Sequence, residues 1–469
     1  MILWKKVGVL SLCLSILLGI CCASTSKIAY AYEDEWEYAP TISVETGSTV
    51  EGYIGSASEV DVYRFSLEQG CEMKIETRVH SSAYLRYLIW DEKVGKENGL
   101  WIANQDVDYN DALGCGFDST TYYLTKGTYY LEIKDVGWDS IATTYDIGFA
   151  TKPFETVREP NDTIGQAIET QKNKVYYGLM AENDGTDMFK VPGTGSYYVT
   201  ITNIDVKGKR HAPNGLLVRT YNGFGEAIKP IDEYIELESG QLLNKFVKIT
   251  KKDLVYRLES HETNTNSYWH TSGKYKIAFV KKPAKISNLR VTSSTTKGIK
   301  LKWGTQPDIT GYKIYQKQSG KYKLVKTVKG ADVNSCTIKD VAKGNGYSFY
   351  VKAYTRVDGR NYFGNVSKKV STIIKPAKVT KVKLKTGGKS VKASWKKTNG
   401  TGYQVVMARN VKFNKDKKVY KIKSSKTVSK KVSKLKKGKY YYVKVRAYKS
   451  YNGKTKYGPW SEAKRIKCR

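Results

Sequence analysis

The sequence predicts an all-β protein, and three observations carry that expectation. Apolar and polar residues alternate at period two in the strand-like runs, as in Tyr347-Ser-Phe349-Tyr-Val351-Lys-Ala353-Tyr354 and Tyr441-Tyr-Val443-Lys-Val445-Arg-Ala447-Tyr448. That alternation marks strands with one buried face. The 37 tyrosines and 40 glycines stand beside only 10 prolines, a composition suited to short strands and tight turns rather than disorder. Beyond about residue 30 no stretch holds a helical period. A chain of 469 residues has room for three to five ordinary domains, and its 40% hydrophobic content supplies their cores.

The first residues read as an export signal. Lys5 and Lys6 precede the apolar run Val7–Ala23, and the small-x-small sequence Ala29-Tyr30-Ala31 follows, so cleavage is expected after Ala31 with 1–31 as the signal peptide. A retained membrane anchor is the alternative, because the run is nearly long enough to span a bilayer. No wall-sorting motif of the Leu-Pro-x-Thr-Gly type closes the chain, so any surface retention is expected to be noncovalent. Cys13, Cys21 and Cys22 belong to the leader. Cys71, Cys115, Cys336 and Cys468 remain, with no Cys-x-x-Cys pair for zinc or redox chemistry. Cys71 and Cys115 share one domain and could bridge.

Two regions follow that repeat one scheme, 32–152 and 153–281. Gly52, Asp61 and Tyr63 map onto Gly178, Asp187 and Phe189 at one offset of about 126 residues. Both regions close alike, Phe149-Ala-Thr-Lys-Pro153 and Phe279-Val-Lys-Lys-Pro283. Glu159-Pro160-Asn161-Asp162-Thr163, followed by Gly178, Asp187 and Phe189, resembles the bacterial pre-peptidase C-terminal domain. That resemblance implies a jelly-roll β-sandwich of the kind appended to secreted peptidases. The first copy lacks the Glu-Pro-Asn-Asp opening and offers only Glu33-Asp-Glu35.

The rest of the chain is a second duplication, 282–375 and 376–469. Trp303 and Trp395 each end an alternating run. Gly311-Tyr312 and Gly402-Tyr403 come next, and then the paired Tyr-to-Ala strands. This order resembles the fibronectin type III domain twice over, which implies two further sandwiches with Trp303 and Trp395 in their cores. The breaks fall at Lys152-Pro153, Lys282-Pro283 and Lys375-Pro376, where proline stiffens a linker and cannot continue a ladder. The expected architecture is four tandem β-sandwiches after a signal peptide.

Charge is the strongest functional clue. The net of +36 is unevenly distributed: 32–150 carries about 8 basic and 22 acidic side chains, 151–281 about 18 and 16, and 282–469 about 51 and 6. Lys381, Lys383 and Lys385 alternate with apolar residues, and Lys430, Lys431, Lys434, Lys436, Lys437 and Lys439 cluster further on. On period-two strands such lysines face outward. A solvated, aggregation-resistant face is the plain reading. A field of this size also attracts polyanions, and lysine in place of arginine favours loose, salt-sensitive attraction over bidentate recognition. Anionic cell-wall polymers or acidic glycans are the expected partners, with no specific nucleic acid.

For some relatives of the pre-peptidase C-terminal domain, the resemblance implies calcium bound by the Glu-x-Asn-Asp opening and two later aspartates. The matching positions are Glu159, Asn161, Asp162, Asp184 and Asp187, oxygen donors suited to a hard cation. Val157 stands where a further acid would serve. The alternative is that these residues cap turns and face solvent. Asp106-Val-Asp108-Tyr-Asn110-Asp111 imitates a calcium loop without its turn glycine or closing glutamate, and reads as a solvated acidic loop. Trp90, Trp101 and Trp138 could stack on sugar rings, although core packing is the commoner fate of strand tryptophans.

Catalysis finds no motif. His80, His211, His261 and His270 are scattered, with no His-Glu-x-x-His, Gly-x-Ser-x-Gly or Walker loop. The sequence therefore points to a secreted, monomeric, non-catalytic binding protein. Its basic tandem would hold the cell envelope while the N-terminal pair meets glycan or extracellular protein. The alternative is an accessory substrate-binding subunit of a secreted hydrolase.

Overall fold

The computed structural model describes residues 36–92, 103–107, 109–110, 114–138, 141–182, 184–208, 215–260 and 271–469. The expected signal peptide 1–31, Trp101, Asp108 and Asp111 lie outside them. The chain is all-β, in two compact units, Met1–Val280 and Lys281–Arg469. Among the described residues no helix is long and apolar enough to cross a membrane.

Alternation in sequence becomes alternation in burial. Cys71–Val79 buries every second side chain, and Met73, Ile75 and Val79 are fully enclosed. In the first unit two sheets close over a core running from Val44 to Phe149. One has the order Thr49–Ile54, Thr143–Pro153, Cys71–Val79, Cys115–Leu124 and Tyr109–Asn110. The other runs Val60–Leu67, Gly127–Asp135, Leu85–Asp91 and Ala103–Val107. A second pair of sheets encloses a core from Tyr176 to Phe279, on which Val157 packs. A polar joint ties the two sandwiches: Lys274 pairs with Glu72 and, at 3.2 Å, with Asp205, which also accepts from the Tyr123 hydroxyl at 3.2 Å.

The second unit carries two sandwiches of one pattern, a three-stranded sheet facing a five-stranded one. Their cores run from Ile286 to Ile374 and from Val379 to Cys468. Trp303 meets Tyr312 at 5.3 Å between ring centroids, and Trp395 meets Tyr403 at 5.2 Å. The duplication extends to hydrogen bonds. Tyr347 accepts the Ala342 N–H, as Tyr441 accepts that of Lys436. The Ser367 hydroxyl accepts the Val351 N–H, as Ser461 accepts that of Val445.

The Cys71–Cys115 bridge left open by the sequence does not form. Cys71 lies opposite Leu124 and Val79 opposite Gly116, so the two thiols occupy opposite ends of one strand pair. At about 3.4 Å per residue they are roughly 30 Å apart, whereas a disulfide needs Cα atoms within about 7 Å. Among the described residues, Cys71, Cys115, Cys336 and Cys468 are all free.

The duplication in the first unit rests on a glycine covered by a tyrosine. Gly52 lies opposite Tyr145 and Gly178 opposite Tyr275, and in each case the ring fills the place a Cβ would take. A cross-strand aromatic laid over glycine recovers the packing that glycine lacks. Gly52→Ala and Gly178→Ala must therefore push a buried ring aside. Urea unfolding of each variant should show a loss of about 1–3 kcal/mol; unchanged midpoints would mean the rings are free to move.

Candidate metal centre and basic face

The covering tyrosines have a second task. The Tyr275 hydroxyl donates to Asp187 Oδ2, and the Tyr145 hydroxyl to Asp61 Oδ2. Both aspartates are buried, at 1% and 0% exposure, and each leaves its Oδ1 without a hydrogen-bond partner. An unpartnered buried carboxylate oxygen is costly. The two repeats resolve that cost differently.

In the second repeat the loop before the sheet brings further carboxylates to Asp187. The ligand oxygens of Glu159, Asp162 and Asp184 lie within 4.8 Å of one another. A tight turn fixes Asp184, whose carbonyl accepts the Ala181 N–H at 2.7 Å. Burial, and then the charges of Asp187, Asp184 and Asp162, push the Glu159 carboxyl up to about 9. Burial, then Asp187 and Asp162, push Asp184 up to about 8. Burial also raises Asp187 to about 7, against the lowering effect of its bond to Tyr275 and of the neighbouring Asn161. Three of these acids are thus held against ionisation by desolvation and by each other. A divalent cation removes both penalties. The donors of Glu159, Asp162 and Asp184 are all hard oxygens, so these three residues fit calcium, while Asp187 stands outside their cluster.

Asn161 plays a different part from the one expected of it. It is fully buried; its Oδ1 accepts the Met188 N–H at 3.0 Å, and its amide donates to Glu159 Oε2 at 2.8 Å and to the Arg158 carbonyl at 3.3 Å. It braces the loop and orients Glu159. Among the described residues the first repeat has no such cage. Its Asp61 is raised to about 6, chiefly by burial, and Tyr63 stands where the second repeat has Phe189, its hydroxyl 2.9 Å from that of Tyr145. In the imitation calcium loop, Asp106 is ion-paired with Arg86.

The stacking expectation fails for Trp90. Its ring is 5% exposed, packs against Trp36 and donates Nε1–H to Glu132 at 3.0 Å. No face is open to a sugar. Trp138 is fully exposed.

The basic residues form a surface on the last sandwich. Its three-stranded sheet, Lys383–Thr386, Val391–Ser394 and Ser429–Val432, aligns Lys385 with Lys392 and Lys392 with Lys431. Three ammonium-bearing side chains thus stand opposite one another on strands about 4.8 Å apart. Lys392 was not singled out from the sequence; the pairing register reveals it. Lys381, Lys383, Lys434, Lys436, Lys437 and Lys439 are also exposed. Lys430 departs from this face, with its ammonium 4.9 Å from the centre of the Tyr420 ring. The last sandwich has only two carboxylates against about 31 basic side chains. Asp416 pairs with Arg409 and Glu462 with Lys378, so neither neutralises the lysine row.

Two turn positions carry the same signal. Lys381 and Lys434 adopt left-handed backbone at φ 54° and 59°; the corresponding residues of the preceding sandwich are Asn288 at 53° and Asp340 at 56°. Asn and Asp tolerate that region, whereas other side chains pay roughly 1–2 kcal/mol there. The last sandwich places lysine where the backbone disfavours it.

Residues 284–367 match the fibronectin type III domain family. They form a fibronectin type III domain. Such domains are often binding or adhesion modules, and typically not enzymes. Similar solved structures include a two-domain fibronectin type III segment of chicken tenascin, 15% identical, covering 39% of this chain and 98% of that one with a TM-score of 0.30. Another is the FN1–FN3 segment of chicken CNTN1, 14% identical, covering 59% of this chain and 100% of that one with a TM-score of 0.21. No curated protein sequence matches the chain.

Calcium should raise the melting temperature of the full-length protein's N-terminal unit, and Asp184→Asn should abolish the rise. Identical melting curves in calcium and in chelator would remove the site.

Proposed function

We propose that this chain is an exported, non-catalytic attachment protein whose C-terminal tandem holds anionic cell-wall polymers. The register of Lys385, Lys392 and Lys431 carries this reading. Like charges directly opposite across a sheet destabilise it by about 0.2–1 kcal/mol per pair, and a solubility role would be served equally well by alternating signs. A polymer of phosphate or carboxylate groups supplies the missing counter-charge, and each contact releases bound counterions. The N-terminal sandwiches are left to meet glycan or protein, with Trp138 as one exposed aromatic. Calcium at Glu159, Asp162 and Asp184 acts in this reading as a brace that holds the second sandwich's loop in place. The apolar leader supports export.

Affinity of the intact protein for poly(glycerol phosphate), measured across a salt series, should fall linearly on a double-logarithmic plot. Lys385→Gln, Lys392→Gln and Lys431→Gln together should make that slope shallower by about two to three units, roughly one per lost phosphate contact, without lowering the melting temperature. Binding that ignores salt, or a triple variant with the original slope, would contradict the proposal.

A further inference from the structure

The joint between the two C-terminal sandwiches is polar and close. Asn399 donates to the Lys343 carbonyl at 3.1 Å and to Asn345 Oδ1 at 2.8 Å, and Asn452 donates to the Ser371 hydroxyl at 2.8 Å. The Tyr451 ring covers Gly346 so tightly that no Cβ would fit. Beside these contacts lies a cleft of about 310 Å³. The third sandwich contributes Thr292, Ser293, Ser294 and Ser371 to its walls; the fourth contributes Lys454 and Lys456.

The chemistry of that cleft is one-sided. Its lining contains no carboxylate. The Lys456 ammonium donates to the Ser294 hydroxyl at 3.0 Å, and the Lys454 ammonium to the Ser371 carbonyl at 3.3 Å. Both cations are therefore anchored by one hydrogen bond each, with two N–H donors apiece still to place. Burial, and then the charges of Lys375 and Lys454, lower the proton affinity of Lys456. Polar mortar alone accounts poorly for this, because two converging ammonium groups repel where a single acid would bind both halves. A negatively charged guest turns that repulsion into attraction toward itself.

We propose that the cleft is a binding site for one phosphodiester unit of a polyol-phosphate polymer, with the phosphate between Lys454 and Lys456 and the polyol against Thr292 and Ser293. Size selects the unit: the cleft is at the lower end of the range for small organic ligands, roughly 300–1,000 Å³, and is larger than a bare phosphate requires. The Ser293 hydroxyl matches a polyol by giving and accepting hydrogen bonds, and that of Thr292, which donates to the Lys300 carbonyl at 3.3 Å, by accepting one. Because its walls come from both sandwiches, the guest also ties them together. This inference rests on the polyanion reading above and adds a discrete site to the diffuse lysine face.

The test is titration of the full-length protein with sn-glycerol 3-phosphate, inorganic phosphate or glycerol at constant ionic strength, followed by calorimetry. Saturable binding of glycerol 3-phosphate is expected, weakened about tenfold or more by Lys454→Gln with Lys456→Gln, the loss of two charge-assisted bonds. Thr292→Ala with Ser293→Ala, at exposed positions outside the joint's own contacts, should weaken glycerol 3-phosphate about threefold and leave inorganic phosphate unchanged. Inorganic phosphate binding as tightly as glycerol 3-phosphate would overturn the polyol assignment. No saturable binding, with poly(glycerol phosphate) still held and released by the Lys385, Lys392 and Lys431 substitutions, would overturn the cleft and spare the attachment reading. Loss of both would overturn both.

Discussion

The uncompensated positive charge of the last sandwich is the constraint to which the rest of its structure answers. Two carboxylates are present there and both are engaged, so the remaining lysines repel one another and look outward for neutralisation. The fold sustains this because its core does not depend on the surface. Leu384, Val391, Ala393 and Val432 point inward from the same three strands that carry the lysine row outward, and a strand's period of two keeps the two populations apart. The other face is managed differently. Arg446 lies 4.0 Å from the Tyr457 ring and 4.3 Å from that of Trp460, while Lys444 lies 4.1 Å from Phe413. There, aromatic faces partly offset the cations. On the three-stranded sheet Lys430 lies over Tyr420, but no such contact covers the row of Lys385, Lys392 and Lys431.

The first unit poses the opposite problem, an excess of negative charge drawn inward. A buried aspartate held by a tyrosine hydroxyl beneath a glycine occurs twice, once with a carboxylate cage and once with only a second tyrosine hydroxyl. The copies share a backbone device and differ in chemistry. Among the described residues, only the copy that opens with Glu159-Pro160-Asn161-Asp162 gathers enough oxygen donors to suit a cation.

Much of this was legible in the residues. Period-two alternation gave the strands, and the two internal duplications gave the pairing of like with like. Trp303 and Trp395 lie in cores because an aromatic at the end of an alternating inward-facing run has nowhere else to go. What could not be read was register and end-to-end distance. Lys392 looks like any other lysine until pairing places it between Lys385 and Lys431. Cys71 and Cys115 look like partners until the strand pair sets them at its two ends. Trp90 reads as an available ring until Trp36 covers it. The bonds of Tyr145 to Asp61 and of Tyr275 to Asp187 cross between sheets and leave no local trace in the sequence. The cleft at Lys454 and Lys456 draws on segments more than 150 residues apart, so no window of sequence contains it.

The central claim is that a specific face, and not bulk charge, meets the polymer. Lysine acylation footprinting of the intact protein with and without poly(glycerol phosphate), read by mass spectrometry, tests it directly. Protection concentrated on Lys383, Lys385, Lys392 and Lys431, together with Lys454 and Lys456 of the cleft, is the predicted result; protection spread evenly over the basic residues, or falling mainly in the first unit, would contradict it.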